Sequence, residues 1–172
     1  MVVFETRSIK KNLSVIASEY DAARNSVVAA LFSKQAVMEV GGWVEQTVDN
    51  ILYYYIDKTI ADVELRKALK EEVVDKVYGF KYSSEFKPLF QKIIGAGRYQ
   101  RIVKSLEKTG HDQVLYSKLH TLCLSRNRAA HTYWRKVTLQ FDAPSTTALL
   151  FEDISKILRK IWENVRRFAQ NG

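Results

Sequence analysis

Cysteine is nearly absent from this chain. A single residue, Cys123, excludes an internal disulfide framework and fits a reducing compartment. Only two prolines accompany an apolar content of 47%, which excludes collagen-like and disordered classes. No apolar run approaches the roughly 20 residues that a membrane-spanning helix needs, so no membrane partner is expected. Met1 to Lys11 contains no long apolar run behind a basic start, so no signal peptide is expected either, and a cytoplasmic location follows. No repeat with a period of roughly 20–50 residues occurs, which excludes a solenoid. No linker rich in Gly, Ser or Pro divides the sequence. The 172 residues therefore read as a single domain, 1–172, large enough to bury a core without staples.

Negative charge is scarce in the second half. Residues 1–86 carry 11 Lys+Arg against 13 Asp+Glu, whereas residues 87–172 carry 16 against 6, and the whole chain has a formal net charge of +8. A positive field confined to one half is the footprint of a nucleic-acid binder, although a basic excess also serves solubility alone.

Hydrophobic periodicity is helical nearly throughout. Ile9, Leu13, Ile16, Tyr20, Ala23, Val27 and Leu31 recur in steps of three and four, predicting one amphipathic helix over 8–32. A second stripe runs through Val37, Val40, Val44, Val48, Ile51 and Tyr55, with Gly41-Gly42 inside it admitting a close neighbour or a kink. Ile60, Val63, Leu69, Val73 and Val77 mark a third helix stopped by Gly79. Tyr82 to Glu85 reads as a turn, and a further helix starts near Phe86, is interrupted at Gly95-Ala96-Gly97, and resumes through Ile102, Val103 and Leu106. Asp112 is a fair N-cap for a helix running through Leu115, Leu119 and Leu122 to about His131. Val137, Leu139 and Phe141 alternate with polar residues, as an extended arm or edge strand does. Pro144 opens a last helix through Phe168. These elements predict an all-α, up-and-down antiparallel bundle of five to six helices.

Chemistry concentrates in Arg126-Asn127-Arg128-Ala129-Ala130-His131, followed by Tyr133 and Trp134. Arginine offers a permanent charge and a planar fork for phosphate oxygens, and histidine exchanges protons near neutral pH. At about 100° per residue, His120, Asn127 and His131 share one polar seam, with Leu115, Leu119 and Ala130 beside it. Arg126 lies about 140° from His131. The two meet only if Arg126 bends back, if the helix unwinds near Ala130, or if a second copy of the chain completes the site. A basic residue near a helix C-terminus also serves the macrodipole and need do nothing more.

The string from Arg126 to His131 resembles the Arg-x4–6-His motif of the HEPN superfamily, in which Asn often follows the arginine. With Tyr133 the match extends to Arg-x4-His-x-Tyr, the form found in HEPN toxins paired with minimal nucleotidyltransferase antitoxins. Gly42-Trp43-Val44-Glu45 resembles an early helix of other HEPN ribonucleases, where an acidic residue lies near the active site. Thr132 stands where many members have Gly, and residues 60–107 form an extra helical section. The resemblance implies a HEPN-like bundle acting as a homodimer and cleaving RNA without a metal, in a toxin–antitoxin or phage-defence setting. It implies catalytic roles for Arg126, His131 and Asn127 and a supporting acid in Glu45. It further implies Tyr133 as a conditional site of nucleotidyl transfer by a cognate nucleotidyltransferase-like antitoxin. Arg128 is a candidate RNA contact, and Tyr133 and Trp134 either stack on bases or serve as core or dimer-contact aromatics.

No cofactor and no metal are expected. His111, His120 and Cys123 lack a recognised zinc spacing, and Gly95-Ala96-Gly97-Arg98 lacks the strand and third glycine of a nucleotide loop. Tyr53-Tyr54-Tyr55 spans more than half a helical turn, so part of it leaves the core, for a stacking platform, a partner surface or ordinary packing. The basic run Lys156, Arg159, Lys160, Arg166 and Arg167 is a solvated face or a guide for an RNA backbone. Two competitors stand beside the nuclease: a HEPN-like module that binds RNA or protein without cutting, and a structural subunit whose basic half meets an acidic protein.

Overall fold

A 34-residue helix, Ser26–Thr59, forms the spine of the molecule. It starts where Asn25, in extended conformation, turns its side chain onto the backbone N–H of Val28, satisfying one of the orphan donors of the first turn. Asn25→Ala is expected to cost about 1 kcal/mol and Asn25→Gly only a few tenths, readable as midpoint shifts in urea unfolding. The computed structural model describes residues 4–131 and 141–171. Among the described residues there are seven α-helices, two π-helical turns and no strand: α1 Arg7–Asp21, α2 Ser26–Thr59, α3 Val63–Ala68, α4 Lys87–Ile94, α5 Ala96–Glu107, α6 His111–His131 and α7 Pro144–Gln170, with the π turns at Leu69–Val74 and Tyr82–Phe86. The chain is therefore all-α, as its periodicity predicts.

Side-chain pairings give the helix directions. Glu5 O accepts from Trp43 and Asn12 bonds Glu39, so α1 and α2 run antiparallel. Lys118 pairs with Asp153 and Lys160 reaches His111, so α6 and α7 are antiparallel as well. Trp43 meets Phe151 edge-on and Tyr54 meets Trp162 in the same way, so α2 and α7 run parallel. The result is an up-and-down bundle in chain order α1, α2, α6, α7, with α2 and α7 packed together along its middle. Val40, Val44, Ile51 and Leu52 of α2 and Phe151, Ile154, Leu158 and Ile161 of α7 are all buried in the shared core.

Residues 60–110 make an excursion between α2 and α6. Asp62 caps α3 through Leu65 N–H. Gly95, with φ of 87°, separates α4 from α5 in a conformation that side-chain-bearing residues rarely adopt. Phe80, Phe86 and Phe90 anchor the excursion in the same core as the bundle.

Several boundaries differ from the sequence reading. The stripe over 8–32 crosses a real break at 22–25, because Asn25 starts a new helix there; Val27 and Leu31, in phase by coincidence, are exposed. Ser33 and Lys34 lie inside α2, which also passes unbroken through Gly41-Gly42. The third helix ends at Ala68, with one π turn continuing to Val74. Tyr82–Phe86 is a π turn leading directly into α4. α6 begins at His111, so Asp112 sits in its first turn, where a carboxylate favours the dipole. Of the expected arm, residues 137–140 lie outside the described residues, and Phe141 packs on the core. The tyrosine triplet is ordinary packing: Tyr55 is buried, Tyr54 meets Trp162, and the Tyr53 hydroxyl donates to Asp75.

Candidate active site

The late half of α6 approaches α2 at one glycine. Gly41 is buried, and a Cβ built on it would lie 3.0 Å from Arg126 Cγ and 3.8 Å from Phe80 Cε1. The arginine stem thus crosses the bare backbone of α2. One turn further along, Glu45 receives the guanidinium: Arg126 Nη2 donates at 3.1 Å to Oε1 and at 3.5 Å to Oε2. Both side chains keep about a third of their surface open, 31% and 29%. Gly42 faces open space and plays no part in this contact.

The pair forms one wall of a cavity of about 240 Å³. Phe80, Phe86, Leu89 and Val48 line its apolar side, and Asp49 and Asp75 add two carboxylates. Burial pushes the Asp49 carboxyl up to about 7, helped by repulsion from Asp75 and Glu45. Burial and the bond to Asp75 likewise raise the Tyr53 hydroxyl, so it stays protonated. A carboxyl held above its unfolded value of 3.8 binds more protons in the folded state, so its contribution to stability falls as pH rises from about 4 to 7. Asp49→Asn is therefore expected to stabilise the protein by about 1 kcal/mol at pH 8, once solvent access to this half-buried group is allowed for, and to have little effect near pH 4. Thermal unfolding of both forms across that pH range checks the sign.

The other motif residues point elsewhere. Leu115, Leu119, Leu122 and Ala129 are the buried residues of α6, so Ala129 rather than Ala130 faces the core; Ala130 is exposed. α6 remains helical through His131, its last residue, which is exposed and bonds no other described residue. Asn127 is exposed and directs Nδ2 toward Cys123 Sγ at 3.8 Å, not toward His131. Burial and Glu85 raise the Cys123 thiol, against Arg126 and Lys81, which keeps it from acting as a thiolate. Arg128 is exposed and borders a second cavity, of about 490 Å³, with Lys118, Thr121 and Asp142. Tyr133 and Trp134 lie outside the described residues.

The fold therefore brings Arg126 to Glu45 but leaves His131 on the outward side of α6. That side is a continuous exposed stripe of Tyr116, His120, Leu124, Asn127 and His131. Tyr116 and His120 lie parallel with ring centroids 6.4 Å apart, and Leu124 is 57% exposed. Among the described residues no three His, Cys, Asp or Glu side chains gather as a metal would require. His111 engages Thr109 and Lys160, well away from His120 on the outer stripe. Among the described residues no helix is long and apolar enough to cross a membrane.

Sequence reasoning missed Asp49 and Asp75. Asp49 follows Glu45 by four residues on α2, a readable signal for one face. Asp75 comes from the excursion, and no spacing in the chain announces its arrival beside them. Compared with models of known protein families, with curated proteins and with solved structures, the chain matches none.

Proposed function

We propose that this protein is a metal-independent endoribonuclease that works as a homodimer. The carrying observation is the division of labour on α6. Arg126 is held at the α2 seam by Glu45, while Asn127 and His131 stand together on the exposed face beside Tyr116 and Leu124. A second copy docked on that face would bring its own α6 alongside and complete the constellation that one chain leaves open. RNA supplies its own nucleophile. The 2′-oxygen attacks phosphorus as the His131 of that cleft takes the 2′-hydroxyl proton, and the bond to the 5′-oxygen breaks as that oxygen takes a proton from water. Arg126 stabilises the charge gathering on the non-bridging oxygens. Asn127 orients the imidazole or the phosphate, and Glu45 sets the direction of the guanidinium. Arg128, with Tyr133 and Trp134, contacts the flanking nucleotides. The resemblance of Arg126 to Tyr133 to HEPN toxins supports this chemistry, a cytoplasmic setting, a toxin–antitoxin or phage-defence role, and Tyr133 as the site at which a nucleotidyltransferase-like antitoxin adds a nucleotide.

A second reading has its own observation. Asp49 and Asp75 make the cavity beside Arg126 acidic, and Glu45 already neutralises the arginine. Both features suit a non-catalytic HEPN-like module whose Arg126 fastens α6 to α2. Incubation with single-stranded RNA in excess EDTA separates the two. The nuclease yields 2′,3′-cyclic phosphate and 5′-hydroxyl ends; intact RNA under conditions where the protein binds it favours the module.

A further inference from the structure

Three arginines converge on one cavity at the other end of the bundle, and among the described residues no carboxylate meets them. The cavity, about 340 Å³, is lined by Arg98 and Arg101 of α5 and by Asn164, Arg167, Phe168 and Asn171 at the end of α7. Arg98 packs on Tyr55, which lies roughly 15 Å along α2 from Glu45. The cavity is therefore separate from the candidate active site.

Four cations elsewhere pair with acids, Lys10 with Glu152, Lys70 with Asp57, Lys118 with Asp153 and Arg126 with Glu45, but none of these four lines this cavity. Here the partners are neutral. Arg98 donates through Nη1 to the Tyr55 hydroxyl and stacks over its ring. Arg167 donates through Nε to the Glu163 carbonyl and through Nη2 to Asn164 Oδ1, at 3.3 and 3.4 Å. Asn164 is fixed in turn through Nδ2 to the Lys160 carbonyl at 2.8 Å. Arg101 is exposed and bonds no other described residue. Two of the three guanidiniums are thus oriented in advance without being neutralised, which lowers the ordering cost of binding an anion.

The helix dipole does not account for the cluster. Arg167 in the last turn of α7 is favoured by the carbonyl end of that helix. Arg98 occupies the first turn of α5, where a cation is disfavoured and no acidic residue compensates. Convergent positive charge that the fold neither needs nor offsets is what a phosphorylated ligand would use.

We propose that this cavity binds a free nucleotide, with its phosphates on Arg98, Arg101 and Arg167 and its base against Phe168. The half-buried ring of Phe168 supplies the one aromatic surface of the cavity, and the Asn171 amide offers a donor and an acceptor for a base edge. Three guanidiniums match the charge of a diphosphate. A volume of this size suits a small ligand rather than a strand passing through. The proposal does not rest on ribonuclease activity.

Titration calorimetry of the full chain at low salt, with ADP, adenosine, pyrophosphate and a short single-stranded RNA as separate probes, tests it. ADP is expected to bind with micromolar affinity, and adenosine and pyrophosphate at least about tenfold more weakly, because each lacks half of the recognised chemistry. Arg101→Ala, at an exposed position, and Arg167→Ala are each expected to weaken ADP about tenfold or more. His131→Ala is expected to leave ADP affinity unchanged. Absence of ADP binding, pyrophosphate binding as tight as ADP, or indifference to both arginine substitutions overturns the proposal. So does RNA binding that depends on Arg101 while ADP does not bind, which makes the cluster a backbone track.

Discussion

Replacing His131 with alanine is expected, on the proposed mechanism, to slow RNA cleavage by about 10²–10⁴-fold while leaving the fold intact, because the group would move protons there and is exposed rather than part of the core. Arg126→Ala is expected to lose about 10²–10³-fold for a different reason, the loss of charge stabilisation at phosphorus. The geometry of α6 then makes a sharper statement. Arg126 faces the α2 seam and His131 faces outward, so within one protomer they do not address a common point. If each cleft takes its arginine from one chain and its histidine from the other, the two inactive variants complement each other. In a mixed dimer, one cleft carries both substitutions and the second carries neither. Equal mixing should therefore restore about a quarter of the wild-type rate once subunits exchange. A site built within one chain would leave both clefts of every mixed dimer broken, and no activity would return. The composite reading fails if subunit exchange is demonstrated by mass and cleavage stays absent.

That experiment turns on something the sequence states clearly. Helical periodicity placed Arg126 and His131 on different faces, and the side chains are on different faces. What periodicity conveys less well is where a helix stops. The stripe from Ile9 to Leu31 keeps its phase across a break, because a short turn happens to preserve the spacing of apolar residues. Only the capping role of Asn25 reveals the boundary, and an asparagine in a polar stretch has many other uses. Likewise, Gly41-Gly42 announces a special place without saying which residue is special. Glu45 was legible as an acid beside a tryptophan, and its contact with Arg126 joins positions 81 residues apart. Asp75 and the Arg98–Arg101–Arg167 cluster had no local signal. Each is assembled by elements distant in sequence, and local pattern carries information only about neighbours on the same helix.

Charge shows the same division between what composition states and what folding arranges. The second half of the chain is strongly basic, yet the cavity beside Arg126 is acidic, because α2 and the excursion bring Glu45, Asp49 and Asp75 to it from the first half. Most of the basic residues of the second half lie instead on α4, α5 and α7. In the proposed mechanism, the acidic cavity then serves to hold Arg126 in place.

The two adjacent glycines of α2 should respond in opposite directions to a side chain. Gly42 is exposed, and a Cβ there meets nothing within 4 Å. Gly42→Ala is thus expected to stabilise the protein by about 0.5–1 kcal/mol, through the loss of backbone freedom in the unfolded chain alone. That gain corresponds to a rise in Tm of about 1–4 °C. Gly41→Leu is expected to cost about 3 kcal/mol, at the upper end of overpacking, because its side chain must displace the Arg126 stem and the Phe80 ring. Cleavage should fall with it, since the guanidinium can no longer lie across α2 to Glu45. A third variant separates packing from propensity. In an Arg126→Ala background the obstruction at Cγ is gone, and Arg126 Cβ would stand 3.7 Å from the new Cβ, an ordinary contact. Gly41→Ala should then be more favourable there than in the wild type, by about 1 kcal/mol of coupling in a double-mutant cycle. Additivity within error would mean that α6 does not close on α2 through this glycine, and the support proposed for Arg126 would lose its basis.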